Sequence, residues 1–331
     1  MHKTLERLWV SWLDSKYWRR FAGQGFGGKI MHTRTFRRIN LARRFALTEY
    51  KSRRRPLLFQ DVHTFCAFVG HVKSGSTLIG ALLDAHPDAV IADEIDVLSY
   101  AMAGFRKEQI FHILLKAARR DYLKGRVTAR RLAPYSVAVP GQWQGRYRSL
   151  QVIGHSQAGP VTRKLSEDLS LLDQLRETMS GIDLKLIHVI RNPFDPISLM
   201  MQRGNRSFAN AIDHYFSYCE ALSVLHRRLG QENLFAVRYE AFVENPRTHL
   251  NNICRFLDLE ASDEYLEACI TILYDSPEQS RQDLDWEDRW IERVEQEIAQ
   301  VPFLAGYSYE GLSQPAATND GAAPSVEAAI S

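Results

Sequence analysis

The sequence predicts an α/β protein: a three-layer sandwich on a central parallel sheet, with a P-loop-like anion-binding loop at the sheet's edge. Three observations carry that prediction. Short runs rich in Val, Ile, Leu and Phe alternate with segments of helical period from residue 65 to residue 300, the pattern of successive strand–helix units. The clearest runs are continuously apolar instead of apolar at every second position, as strands buried on both faces require. The stretch FCAFVGHVKSGSTLIGALLDAHP, Phe65–Pro87, reads as strand, glycine-containing loop and amphipathic helix in direct succession.

A chain of 331 residues can bury a full core, and one large domain with decorations is the expected layout. With 45% hydrophobic and 24% charged residues, it has the composition of an ordinary soluble globular protein. It contains no apolar run of about 18 residues, which argues against a membrane span. Its first residues lack a signal-peptide pattern, so a cytoplasmic protein is expected. Cys66, Cys219, Cys254 and Cys269 are scattered without metal-ligand spacing and read as buried, reduced thiols. The net charge of +3 conceals an asymmetry. Residues 1–55 carry 15 Lys and Arg against 3 Asp and Glu, leaving 27 against 36 for the remainder. Such a basic lead segment suits an anionic surface, lipid headgroups or a polyanion, or it can pair with the acidic body of its own domain.

Taken in order, residues 1–22 place Leu8, Trp9, Trp12, Leu13, Tyr17 and Trp18 at helical spacing among Lys and Arg, a basic amphipathic helix able to lie at a membrane interface. Residues 1–60 form the lead arm, 61–312 the main domain, and 313–331, rich in Ala, Pro and Ser, a disordered tail. Phe65–Val69 is the first strand, Gly70–Gly75 the loop, and Ser76 and Thr77 open the helix. Ala89–Asp93 is a second strand that ends on the carboxylates Asp93, Glu94 and Asp96. Residues 97–131 have helical period. The run Leu150–Ile153 is a strand leading into Gly154, His155 and Ser156, and Pro160–Met179 is helical. Leu184–Ile190 is the clearest strand and ends on Arg191; a helix bearing Ser198 and Arg203 follows. Phe208–Leu229 is a long helix, Leu234–Arg238 a strand followed by Tyr239, and Pro246–Leu257 and Trp286–Gln300 are helices.

The loop frame Gly70-His71-Val72-Lys73-Ser74-Gly75-Ser76-Thr77 has the glycine spacing of a nucleotide-phosphate loop, but Ser76 stands where a Walker A lysine belongs and Lys73 has moved inside the loop. Loop N–H groups, the helix N-terminus and the Lys73 charge make an anion cradle, for which a phosphate or sulfate ester is the best-fitting ligand. The displaced lysine weakens an ATPase or kinase reading. Arg191, at the end of a neighbouring strand, offers a second, fork-shaped phosphate site. Any of the carboxylates after the second strand can cap a helix or serve catalysis.

Four blocks together resemble the sulfotransferases that use 3′-phosphoadenosine 5′-phosphosulfate (PAPS). They are VGHVKSGST (Val69–Thr77), IRNPFD (Ile190–Asp195), VRYEAFVENPRTHLNNICRFLDL (Val237–Leu259) and DWEDRWIERVEQEIAQVPFLAGYSY (Asp285–Tyr309), in the family's order. The resemblance implies a phosphosulfate-binding loop. Lys73 would contact the sulfuryl group and 5′-phosphate, and Ser74, Gly75, Ser76 and Thr77 would supply backbone and hydroxyl donors. Arg191 would hold the 3′-phosphate, with Arg203 beside it, Tyr239 near the nucleotide, and Arg281 and Trp286 in a covering loop. The family's 3′-phosphate serine usually falls where this chain has Leu199; Ser198, one residue earlier, stands as its substitute. The run TLIGALLDAHPDAVIADE is similar to tyrosylprotein sulfotransferases and places their catalytic glutamate on Glu94. The cytosolic small-molecule branch implies His155 as the base instead. No metal is required, no nucleic-acid partner is expected, and the acceptor is a hydroxyl, or an amine, of a small molecule, lipid or carbohydrate. The competing readings are an ATP-dependent kinase and a non-catalytic nucleotide-fold protein recruited to membranes through its basic arm.

Overall fold

The computed structural model describes residues 34–126, 136–204, 206–273 and 276–312; the side chains of residues 34–37, 203 and 204 lie outside that description. The Trp-rich stretch of residues 1–22 and the tail 313–331 also fall outside it.

Five strands form one parallel sheet: β1 Thr64–Gly70, β2 Ala89–Ala92, β3 Val152–His155, β4 Asp183–Ile190 and β5 Leu234–Arg238. Their order across the sheet is β2-β3-β1-β4-β5, with every pairing parallel. All seven residues of β1 and the last six of β4 are buried, which accounts for their unbroken apolar sequences. Alternate residues of the strands feed two cores. Phe65, Ala67, Val69, Val90, Ile153 and Leu186 face one helical layer, and Cys66, Phe68, Ile91, Ile187, Val189 and Val237 face the other. The three-layer α/β sandwich expected from the sequence is the observed architecture.

One layer contains α3 (Val97–Met102), α4 (Lys107–Leu123), α5 (Ala158–Glu167) and α6 (Ser170–Thr178). The other contains α2 (Ser76–Asp84), α9 (Tyr239–Glu244), α10 (Pro246–Phe256) and α11 (Asp263–Ile270). A third cluster joins α7 (Phe194–Gly204), α8 (Phe208–Arg228) and α12 (Asp288–Ala299) around Phe194, Tyr215 and Trp286. The cysteines Cys66, Cys219, Cys254 and Cys269 are buried and unpaired, and burial pushes each thiol well above its ordinary pKa. Among the described residues no helix is long and apolar enough to cross a membrane.

Four features depart from the sequence reading. Within the lead segment, residues Arg34–Arg54 form α1, which packs on α4. Phe45 meets Phe105 edge-on at 5.1 Å, Gln109 Nε2 donates to the Phe45 carbonyl at 3.2 Å, and Arg106 pairs with Glu49 at 2.5 Å. The helical stretch after residue 97 is two helices, broken at Gly104 (φ 76°). The helix expected over Pro160–Met179 is also two, divided where the Asp168 carboxylate accepts from the Ser170 amide at 2.9 Å. Finally, β3 starts two residues later than predicted and takes in Gly154 and His155.

β2 forms one edge of the sheet, and side chains satisfy its outer face. The Ile91 amide donates to Asp84 Oδ1 at 2.8 Å, and Arg126 Nη2 donates to the Ile91 carbonyl at 3.1 Å. Arg126 also pairs with Asp84, and both side chains are almost wholly buried.

Candidate active site

Because every strand runs the same way, the residues that follow the strands gather along one edge, where ligands of open α/β sheets bind. That edge carries Lys73 beyond β1, Glu94 beyond β2, His155 at the end of β3, Arg191 beyond β4 and Tyr239 beyond β5.

The loop after β1 is shaped by its backbone. Gly70 (φ 127°), Lys73 (φ 68°) and Gly75 (φ 105°) all lie at positive φ. At Gly75 a Cβ would sit 2.3 Å from the Tyr239 ring, so only glycine fits there. The loop is braced from below, since the Gly70 amide donates to Thr162 Oγ1 at 2.8 Å. Gly75 caps α2 without any side-chain hydrogen bond, which leaves the first-turn amides of that helix to an outside acceptor. Ser74 is buried and its hydroxyl has no partner among the described residues; Ser76 is buried, Thr77 half-buried, and the Lys73 side chain exposed.

Arg191 reaches across to this loop. Its Nη1 donates to the Lys73 carbonyl at 3.0 Å, its Nη2 to the Glu278 carbonyl, and its guanidinium lies 5.3 Å from the centre of the Tyr239 ring. Its Nε stands 3.5 Å from Asp195 Oδ2 as an ion pair, without hydrogen-bond geometry. Asp195 is held again by Arg281, whose amide donates to it at 3.0 Å and whose Nη1 lies 3.1 Å away. Arg191 therefore ties together the loop after β1, the start of α9 and the segment around Glu278. Arg191→Ala should lower stability by about 2 kcal/mol through loss of charged hydrogen bonds. Urea denaturation measures this, and an unchanged midpoint would contradict the tie.

Ser198 has a different partner from the one the family pattern implied. It is fully buried, and its hydroxyl accepts from Trp286 Nε1 at 3.1 Å. Arg281 and Trp286 thus fasten the 280–286 segment to the start of α7. Arg203 lies in the last turns of α7, with its side chain outside the described residues.

The carboxylates after β2 separate into distinct roles. Asp96 caps α3 by accepting from the Ser99 amide at 3.1 Å, and it pairs with Lys164 at 2.7 Å. Those contacts depress its pKa against the opposing effect of burial. Glu94 is exposed and holds φ 51°. His155 is buried at the last position of β3, beside Phe65 at 6.1 Å, and burial drives its imidazole down to about 4. It is thus a neutral and weakly basic ring at ordinary pH. Among the described residues no group of three or more His, Cys, Asp or Glu side chains is arranged to hold a metal ion.

Sequence reasoning missed Thr162, which braces Gly70, and the contacts of two histidines, His71 in the loop and His188 in β4. His71 stacks edge-on against Tyr215 at 3.7 Å, and His188 Nδ1 lies 2.8 Å from His226 Nε2. No local signal marks these contacts, because each joins residues far apart in the chain.

The buried Ser74 hydroxyl, without a partner among the described residues, and the uncapped N-terminus of α2 fit an anionic ligand. Residues 67–263 match the sequence profile described as the Sulfotransferase family. Solved structures similar to the chain include the sulfotransferase domain of the Synechococcus olefin synthase, at 19% identity and a TM-score of 0.43, covering 71% of this chain and 88% of that one. The sulfotransferase STF9 from Mycobacterium avium is similar at 11% identity and a TM-score of 0.45, covering 79% of this chain and 82% of that one. A mouse sulfotransferase complexed with PAP is similar at 10% identity and a TM-score of 0.39, covering 74% and 86%. No curated protein matches the chain.

Proposed function

Because the chain belongs to the sulfotransferase family, we propose that it moves a sulfuryl group from PAPS to an acceptor hydroxyl, or an amine, of a small molecule, lipid or carbohydrate. One observation carries the reading: Arg191 Nη1 donates to the Lys73 carbonyl, so two anion-binding motifs 118 residues apart in sequence meet at one point.

PAPS, when bound, supplies the sulfuryl group and departs as adenosine 3′,5′-bisphosphate. Lys73 lies where a cation can stabilise charge on the transferring sulfuryl group and the leaving 5′-phosphate. Ser74, Gly75, Ser76 and Thr77 aim backbone and hydroxyl donors at the same place, and the helix dipole of α2 adds to them. Arg191 faces the 3′-phosphate, with Tyr239 against its guanidinium and Arg203 in the following helix. Ser198, occupied by Trp286, has no part in this reading. Glu94 takes the acceptor's proton. Its exposure at the carboxyl edge favours it over the buried His155. The phosphosulfate loop is thus P-loop-like in shape, with its lysine placed for a different donor than ATP.

Calorimetric titration tests the donor assignment. Adenosine 3′,5′-bisphosphate should bind, and ATP with magnesium should bind far more weakly or not at all. Binding of ATP with magnesium alone would instead support the kinase reading and sink this one.

A further inference from the structure

Ser156, directly after β3, touches both halves of the candidate site. Its amide donates to the Ala92 carbonyl at 3.0 Å, which fastens it to the end of β2. Its hydroxyl donates to Asp93 Oδ1 at 3.1 Å. On its other side it lies hard against α2, for a Cβ built on Gly80 would stand 2.3 Å from Ser156 Cβ. No spacer separates this serine from the helix whose N-terminus carries the phosphosulfate loop.

Asp93 passes the constraint on. The same Oδ1 that accepts from Ser156 accepts the amide of Glu94 at 3.0 Å. Glu94 adopts φ 51°, in the left-handed region that an L side chain disfavours. A residue persists there only when its surroundings over-determine it. Here the determinant is one carboxylate oxygen receiving two donors, one of them from a residue wedged against α2.

We propose that Ser156 and Asp93 are positioning residues for sulfuryl transfer. They lock the Glu94 backbone turn and register its carboxylate against the helix that holds the donor. The proposal rests on the reading of Glu94 as the base. Reacting groups must meet within a fraction of an ångström, and a displacement of about 1 Å costs about 100-fold in rate. A glutamate freed from its left-handed turn would move by at least that much.

The test compares Ser156→Ala, Asp93→Ala, Asp93→Asn and Glu94→Gln, with adenosine 3′,5′-bisphosphate affinity as the control for folding and turnover measured on a phenol, a long-chain alcohol and a hexose. Ser156→Ala and Asp93→Ala should lower kcat by about 10- to 100-fold with donor KM and bisphosphate affinity unchanged. Asp93→Asn keeps the accepting oxygen and should recover most of that loss, a rescue that a merely structural charge would not show. Hydrogen exchange gives a readout independent of turnover: peptides spanning residues 92–99 should lose protection in Ser156→Ala, while those spanning 70–80 keep theirs. Wild-type turnover and unaltered exchange in Asp93→Ala would overturn the positioning role and leave the Glu94 reading standing. An inactive Asp93→Asn beside an active Glu94→Gln would make Asp93 the base and overturn both.

Discussion

Glu94→Gln is expected to lower kcat about a thousandfold while leaving adenosine 3′,5′-bisphosphate binding intact, since a positioned general base contributes roughly 10²–10⁴-fold. The substitution keeps the size and exposure of the side chain and removes only its ability to take a proton. The groups proposed to hold the nucleotide, Lys73, the α2 amides and Arg191, lie beyond β1 and β4, whereas Glu94 lies beyond β2. His155→Gln supplies the comparison. If that variant loses turnover and Glu94→Gln keeps it, the base assignment is wrong. The environment argues the other way, because an imidazole driven to about 4 is a poor proton acceptor near neutrality.

The second large effect is acid lability. Burial, its largest cause in each case, lowers His71 to about 3 and His112, His155 and His226 to about 4, and it takes His188 well below its ordinary value. Above pH 6.5 these rings are neutral in both folded and unfolded chains and leave stability independent of pH. Below it, the unfolded chain takes up protons that the folded one refuses, so stability falls as the pH drops toward the folded values. Each ring contributes about 1.4 kcal/mol per pH unit. Asp84, raised to about 6 by burial, acts in the opposite sense and offsets about one ring's share. By pH 5 the net loss is on the order of 10 kcal/mol, comparable to the whole stability of a typical domain. Urea midpoints at pH 7.5, 6.5, 5.5 and 4.5 should fall steadily below 6.5, and a flat profile down to pH 5 would refute the prediction. On the proposed reading the loss should reach nucleotide binding too, because His71 lies in the loop after β1.

Much of this was legible in the chain. The unbroken apolar runs of β1 and β4 announce strands buried on both faces, and the Gly70–Thr77 frame announces the tight turn from β1 into α2. β3 was misplaced because a glycine reads as the end of a strand. Here Gly154 is inside the strand for want of space: a Cβ on it would lie 2.0 Å from the Cys66 carbonyl oxygen. α1 was hidden because its docking depends on polar partners, Glu49 with Arg106 and Arg44 with the Tyr100 hydroxyl, which leave little apolar periodicity. The partner of Ser198 was not legible from its offset to Arg191; which way a helix residue faces depends on what packs against it, and here that is Trp286. The carbonyl of Glu278, which completes the grip of Arg191, has no side-chain signature at all.

The Asp84–Arg126 pair at β2 bears on how the protein behaves among other copies of itself. An outer strand with idle amides and carbonyls invites a neighbouring chain to zip onto it, the first step of many aggregates. Ile91, at the middle of this margin, has its amide and its carbonyl claimed by an acid and a guanidinium. A visiting strand would have to displace a buried ion pair before gaining its first bond. That guard hangs on Arg126, whose hydrogen bonds and ion pair run to Ile91 and Asp84 and not to Lys73, Arg191 or Glu94, so the edge and the candidate site are in the keeping of different side chains.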